Sequence, residues 1–202
     1  MSEVKVIAFA GLPMVGKSTA RELMESLLDE HNIPHDYVHF GSTEEVERRD
    51  AAGEWDDAQK NLTMAEKEQF IRELWRKEGG MGVMATKMLP KMQEITKAGK
   101  IVLIDNMYSD EERLVIKEEF GEDSLFLIAV VADWDVRVQR GASREYRPLT
   151  EEEIRTRDEA EIYNLHKAPT IAFAQVTIVN NGQSKEELKA ELASRVLPKI
   201  AN

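Results

Sequence analysis

Two hydrophobic rhythms alternate along the chain. Short, mainly apolar runs at Val4 to Ala10, Ile101 to Ile104, Leu125 to Val131 and Val176 to Val179 have the form of buried strands, and the more polar run from His35 to Phe40 predicts another. Between them, apolar residues recur at helical spacing. Leu23, Leu27 and Leu28 mark Thr19 to Glu30, and further helices are predicted over Glu66 to Glu78 and Met81 to Ala98, broken at Gly79-Gly80. Ser109 to Phe120 and Ser184 to Val196 each open with Ser and acidic residues, which helix N-termini prefer. Pro90 predicts a kink, and residues 41–62 carry the weakest pattern. This alternation predicts an α/β protein: a five-stranded parallel sheet flanked by helices, in a single domain over residues 1–202. Right-handed crossovers would then gather the loops that follow the strands along one sheet edge.

The first strand and first helix are joined by Gly11-Leu12-Pro13-Met14-Val15-Gly16-Lys17-Ser18, which fits G-x-x-x-x-G-K-[ST]. Glycines at 11 and 16 allow backbone N–H groups to turn inward around phosphate oxygens at the positive end of the following helix. The segment Gly11 to Thr19 is therefore expected to bind a nucleoside triphosphate, ATP, with Lys17 on the β and γ phosphates and the Ser18 hydroxyl on Mg²⁺. Ile101 to Ile104 ends in Asp105, the form of a strand whose terminal carboxylate faces that ion, although an Asp at a strand end is also a common turn or cap residue. Asp133 follows the Leu125 to Val131 strand in a similar way and is better read as a helix cap.

Arg137, Arg140, Arg144, Arg147, Arg155 and Arg157 are crowded together, and no lysine occurs from Glu118 to His166. Planar guanidinium groups bind phosphate oxygens in pairs and stay charged when water is excluded. Arg137, Arg140 and Arg144 recur at helical spacing, Gly141 and Pro148 bracket a short segment that can hinge, and together they predict a short lid over about residues 137–150 that closes on the γ phosphate. The alternative is a solvated face paired with Glu145, Glu151, Glu152, Glu153 and Asp158. His31, His35, His39 and His166 show no metal-ligand spacing, and surface or strand roles are expected. Met81, Met84, Met88 and Met92 form a stripe of core type on a helix that can also line an acceptor pocket.

Composition narrows the function. With 38 acidic against 27 basic residues, the net charge of −11 disfavours a protein that coats nucleic acid, and a polynucleotide kinase with it. The absence of cysteine excludes disulfides and thiolate metal sites. No apolar run approaches a membrane span and no signal-peptide pattern is visible, so a cytoplasmic protein, monomer or homodimer, is expected.

The loop Gly11 to Ser18, Arg76-Lys77-Glu78, Gly80-Met81-Gly82, Ile104-Asp105, Arg137 to Arg144, Arg157-Asp158-Glu159 and Ile178 to Gly182 together resemble the adenylate-kinase-like nucleotide kinases of the P-loop superfamily. Within that superfamily the chain looks like a mostly archaeal-type family of small kinase-like proteins related to dephospho-coenzyme A kinases. The resemblance covers nearly the whole chain. It implies a nucleoside-monophosphate-kinase-like fold with acceptor-side helices over about residues 41–98, a lid carrying Arg137, Arg140 and Arg144, and Asn181 and Gly182 near the adenine. It also implies that Arg76 faces the acceptor, a nucleotide-like small molecule. Such families often carry an Arg after the third strand, where this chain has Tyr108 as its acceptor-side residue. Arg48 and Arg49 do not align with the second acceptor arginine. Transfer of the γ-phosphoryl group is the leading expectation. Dephospho-coenzyme A kinase and a nucleotide-binding switch without kinase activity are the alternatives.

Overall fold

The computed structural model describes residues 4–145 and 148–200. Strands β1 (Val6–Ala10), β2 (His35–Tyr37), β3 (Ile101–Ile104), β4 (Leu125–Val131) and β5 (Val176–Val179) form one sheet in the order β2-β3-β1-β4-β5. Every pairing is parallel, and Val6 lies opposite Val102 on one side and Leu125 on the other. The central β1 is wholly buried, and its alternate side chains serve two cores.

On one face Ile7 and Phe9 pack with Met24 and Leu28 of α1 (Lys17–Glu30) and with Leu188 and Leu192 of α9 (Lys185–Arg195). On the other, Val6, Ala8 and Ala10 pack with Ile71 and Trp75 of α3 (Met64–Gly79), Met84 and Met92 of α4 (Val83–Lys97) and Ile116 of α5 (Asp110–Phe120). The helices are therefore distributed over both faces, as the alternation predicts. α3, α5 and α9 each begin with a reciprocal capping box, at Thr63/Glu66, Ser109/Glu112 and Ser184/Glu187.

Several boundaries differ from the sequence reading. β2 stops at Tyr37, although Val38 and Phe40 are buried beyond it. Residues 41–62 contain α2 (Thr43–Ala52) and a short 3₁₀ turn at Gln59–Asn61. α4 runs on through Pro90, and Met84 and Met92 of the methionine stripe are fully buried. After β4 come α6 (Trp134–Ala142), α7 (Glu151–Glu159), a π-helical turn at Ala160–Asn164 and α8 (Lys167–Ala172). Tyr146 and Arg147, within the expected lid, lie outside the described residues.

Candidate functional site

β1 carries β3 and β4 on its two sides, so the chain leaves it at the point where connections diverge to opposite halves of the sheet. The Gly11 to Ser18 motif occupies that position. A side chain at Gly11 (φ +149°) would stand 2.2 Å from the Val130 carbonyl oxygen, and one at Gly16 (φ +94°) 2.3 Å from Asn180 Nδ2. Only glycine fits either place. Met14 also takes a left-handed conformation (φ 66°), which is costly for a residue with a Cβ and is found where function fixes the backbone.

The loop is held from beneath. Asn180 Nδ2 donates to the Val15 carbonyl (2.9 Å), and its Oδ1 accepts from Arg140 (3.0 Å). Arg140 also reaches the Val15 and Met14 carbonyls at 3.3 and 3.4 Å. Arg137 is buried; its Nε donates to the Pro13 carbonyl (2.9 Å), and its Nη2 grips both oxygens of Asp158 at 2.5 and 2.6 Å. Arg137 is thus committed to the loop's backbone and to α7, and the expectation that it faces a transferring phosphate does not hold in this geometry. Arg144 does line the cleft above the loop, with Arg140. Gly141, expected to hinge, is packed: its carbonyl accepts from Leu149 N (2.9 Å), and a Cβ there would meet Ile154.

That cleft encloses about 530 Å³ between the loop, Asp105, Tyr108, Arg157 and Glu161. Lys17 lies in its floor, donating to the Gly11 and Leu12 carbonyls at 2.9 and 3.0 Å. Burial, and next the charge of Lys167, push its pKa down to about 7. Lys167 is fully buried, and its Nζ donates to Glu161 Oε2 (2.5 Å), Asn106 Oδ1 (3.1 Å) and the same Gly11 carbonyl (3.4 Å). Two lysines therefore converge beneath the loop, and an anion there would compensate both.

Ser18 and Asp105 line the same cleft. Asp105 Oδ1 is buried without a hydrogen-bond partner among the described residues, since His39 Nδ1 at 3.7 Å is too far to bond. An orphaned carboxylate oxygen beside a serine hydroxyl is a donor set that suits a hard divalent cation. Burial raises the Asp105 pKa, but His39, Tyr37 and Arg21 outweigh it and leave the carboxyl below its ordinary value. His39, expected only on the surface or in a strand, thus stands beside the site. Asp133 holds the N-cap position of α6 as expected, but its side chain makes no capping bond.

A second cleft of about 750 Å³ opens beside the first, and the two share Tyr108, Arg157 and Glu161. Arg72 and Arg76 of α3 line it. Arg76 Nε is buried and unpartnered among the described residues, and its guanidinium lies 5.8 Å from the Tyr108 ring centre. Arg76 and Tyr108 therefore line one cleft. Asn181 and Gly182 do not line either cleft: Asn181 Oδ1 accepts from Asp133 N (2.8 Å), and it is Asn180 that touches the loop. Lys167 and Glu161 escape the sequence reading because no motif surrounds them, whereas Asn180 falls in the Ile178 to Gly182 run, expected near the adenine, and holds the loop instead. The lysine-free stretch that ends at His166 is the one available hint.

No protein-family model matches the chain. A UPF0200 protein of Pyrobaculum aerophilum is 30% identical over 196 residues, covering 96% of this chain and 98% of that relative. A UPF0200/UPF0201 protein of Archaeoglobus fulgidus is 32% identical over 202 residues, of which the match spans 98% of this chain but 57% of the relative. Among solved structures, a sugar kinase from Janibacter superposes with a TM-score of 0.55 at 15% identity, covering 98% of this chain and 97% of that one. Shikimate kinase from Acinetobacter baumannii gives 0.52 at 18%, covering 98% and 96%. Identities this low speak for the fold alone, which is that of the P-loop kinases. By its relatives, the chain belongs to the UPF0200 family.

Proposed function

We propose that this protein is a phosphotransferase that moves the γ-phosphoryl group of ATP to a nucleotide-like small molecule. The observation that carries this reading is the pair of joined clefts: one floored by the glycine loop and Lys17, the other lined by Arg72 and Arg76, meeting at Tyr108, Arg157 and Glu161. Backbone N–H groups of Gly11 to Thr19, other than Pro13, and the start of α1 bind the β and γ phosphates, and Lys17 leaves its two carbonyl partners to join them. Ser18 and Asp105 hold Mg²⁺, which when bound neutralises charge on those oxygens. Arg140 and Arg144 flank the transferring group, while Arg137 keeps the loop in place from below. Arg76 and Tyr108 receive the acceptor, and the unpartnered Nε of Arg76 favours an anionic one.

Charge stabilisation and positioning supply the catalysis. A panel of nucleoside monophosphates and dephospho-coenzyme A is expected to contain a compound that raises ADP production from Mg·ATP well above the acceptor-free rate. ADP formed at one rate with and without every compound would overturn the kinase reading. The coordination of Lys17 by loop carbonyls favours the second reading, a nucleotide-binding switch that rests closed until triphosphate arrives. In that case the panel stays silent and Lys17→Ala abolishes nucleotide and partner binding together.

A further inference from the structure

A carboxylate sits at the junction of the two clefts. Asp105 lines only the donor cleft and Glu73 only the acceptor cleft; of the described carboxylates, Glu161 alone lines both. It stands on the π-helical turn Ala160–Asn164, an irregularity that re-aims side chains and recurs at functional sites. Its Oε2 is fixed by Lys167 Nζ at 2.5 Å. Oε1 accepts no hydrogen bond from any described residue, and the side chain keeps 18% of its surface exposed toward the clefts.

Lys167 is itself over-determined. Its three N–H donors meet three acceptors, its side chain is fully buried, and the residue before it, His166, takes a left-handed conformation (φ 53°). A buried ammonium with every donor used is costly to assemble and does nothing for folding that an apolar side chain could not do. Its evident effect is to hold one oxygen of Glu161 and leave the other facing the space between donor and acceptor.

We infer that Glu161 is the proton acceptor of the transfer, and that the phosphoryl acceptor is therefore a hydroxyl group on an anionic small molecule. This rests on the phosphotransferase reading and deepens it, because a phosphate acceptor is already ionised and needs no base. In the step, the acceptor oxygen bonds to the γ-phosphorus, and the bond from that phosphorus to the β–γ bridging oxygen breaks. The electron pair leaves with ADP, and the hydroxyl proton passes to Glu161 Oε1. Arg72 and Arg76 hold the anionic part of the acceptor, and Lys167 is the positioning residue for the base.

The acceptor need not be identified to test this, because water is itself a hydroxyl nucleophile. In crystals of the full chain grown with Mg·ADP and aluminium fluoride, the water in line with the aluminium is expected within about 3.2 Å of Glu161. A water held instead by Asp105, or by no carboxylate, would overturn the proposal. Failure of the nucleotide to bind would remove the phosphotransferase reading on which it rests, a distinct result. In solution, Glu161→Gln is expected to lower kcat for acceptor-free ATP hydrolysis about a hundredfold with KM for ATP within about twofold. An unchanged kcat would count against it. Lys167→Gln should reproduce that split, with Lys167→Arg restoring part of kcat. Equal losses of nucleotide affinity in both Lys167 variants would make its role structural. Among products, a phosphate ester is expected, and a phosphoanhydride formed on nucleoside monophosphates alone would contradict the hydroxyl assignment.

Discussion

On the phosphotransferase reading donor binding turns on Lys17, whose surroundings would make that binding pH-dependent. Burial first and Lys167 second bring its pKa to about 7, so near pH 8 most of the unliganded protein holds it neutral. A bound triphosphate would favour the ammonium form and draw a proton from solution. Calorimetric titration with Mg·ATP in buffers of different ionisation heat should show uptake approaching one proton at pH 8 and little at pH 6; equal uptake at both would contradict this. The same group affects folding. The unfolded chain keeps this proton up to its ordinary value of 10.5, so between about 7 and 10.5 it binds more protons than the native state, and Lys17's contribution to stability rises with pH across that window. Glu112 has the opposite sign. Burial raises its pKa to about 7, although its Oε2 accepts from the Tyr108 and Ser109 amides. The native state then holds a proton that the unfolded chain has released, and the contribution of Glu112 falls as pH rises from about 4.5 to 7. Urea unfolding should show Glu112→Gln gaining stability relative to the wild type between pH 5 and pH 8. A constant difference would place the raised pKa in doubt.

The elements after β4 are where the sequence is least transparent. Arginines at helical spacing signal phosphate, yet Arg137 turns inward to Pro13 and Asp158 and ties α6 and α7 to the loop. Asp158, 21 positions away, stands among the partners of the alternative reading, but as part of a solvated face; the local pattern does not reveal that the pair is buried, because an Arg that grips a phosphate and one that grips a buried carboxylate look alike in a helix. Breaking this pair leaves a buried charge uncompensated, so Asp158→Ala should lower unfolding free energy by about 3 kcal/mol, measured by urea titration. A loss under about 1 kcal/mol, the range of exposed pairs, would mean that Arg137 is free to swing into the cleft. The π-helical turn Ala160–Asn164 is equally hidden, since the helix ends with it and no later turn records its change of period. By contrast β1, the glycine loop and α1 are legible together: a buried strand, two glycines that a side chain would block, and an amphipathic helix all report one geometry.

Taken whole, the molecule is a parallel sheet with a cleft where β1 and β3 end, at the edge to which the order of apolar runs points. The four mainly apolar runs are all strands within two residues of their expected ends: β1, β3 and β4 lie inside the sheet and are buried on both faces, and the edge strand β5 buries alternate residues. Membrane spanning by a helix is excluded for the described residues, none of whose helices is long and apolar enough. The acceptor side is harder to read. Arg76 and Tyr108 can be named from the chain, but the cleft they share with Glu161 exists only after α3 and the turn following α7 are brought together. Transfer, as distinct from binding or hydrolysis, is followed most directly through the γ-phosphorus. With Mg·ATP and the acceptor panel, phosphorus NMR should show a new phosphoryl resonance growing in step with ADP, lost in Lys17→Ala. Inorganic phosphate as the sole product, at a rate indifferent to every compound added, would contradict the phosphotransferase.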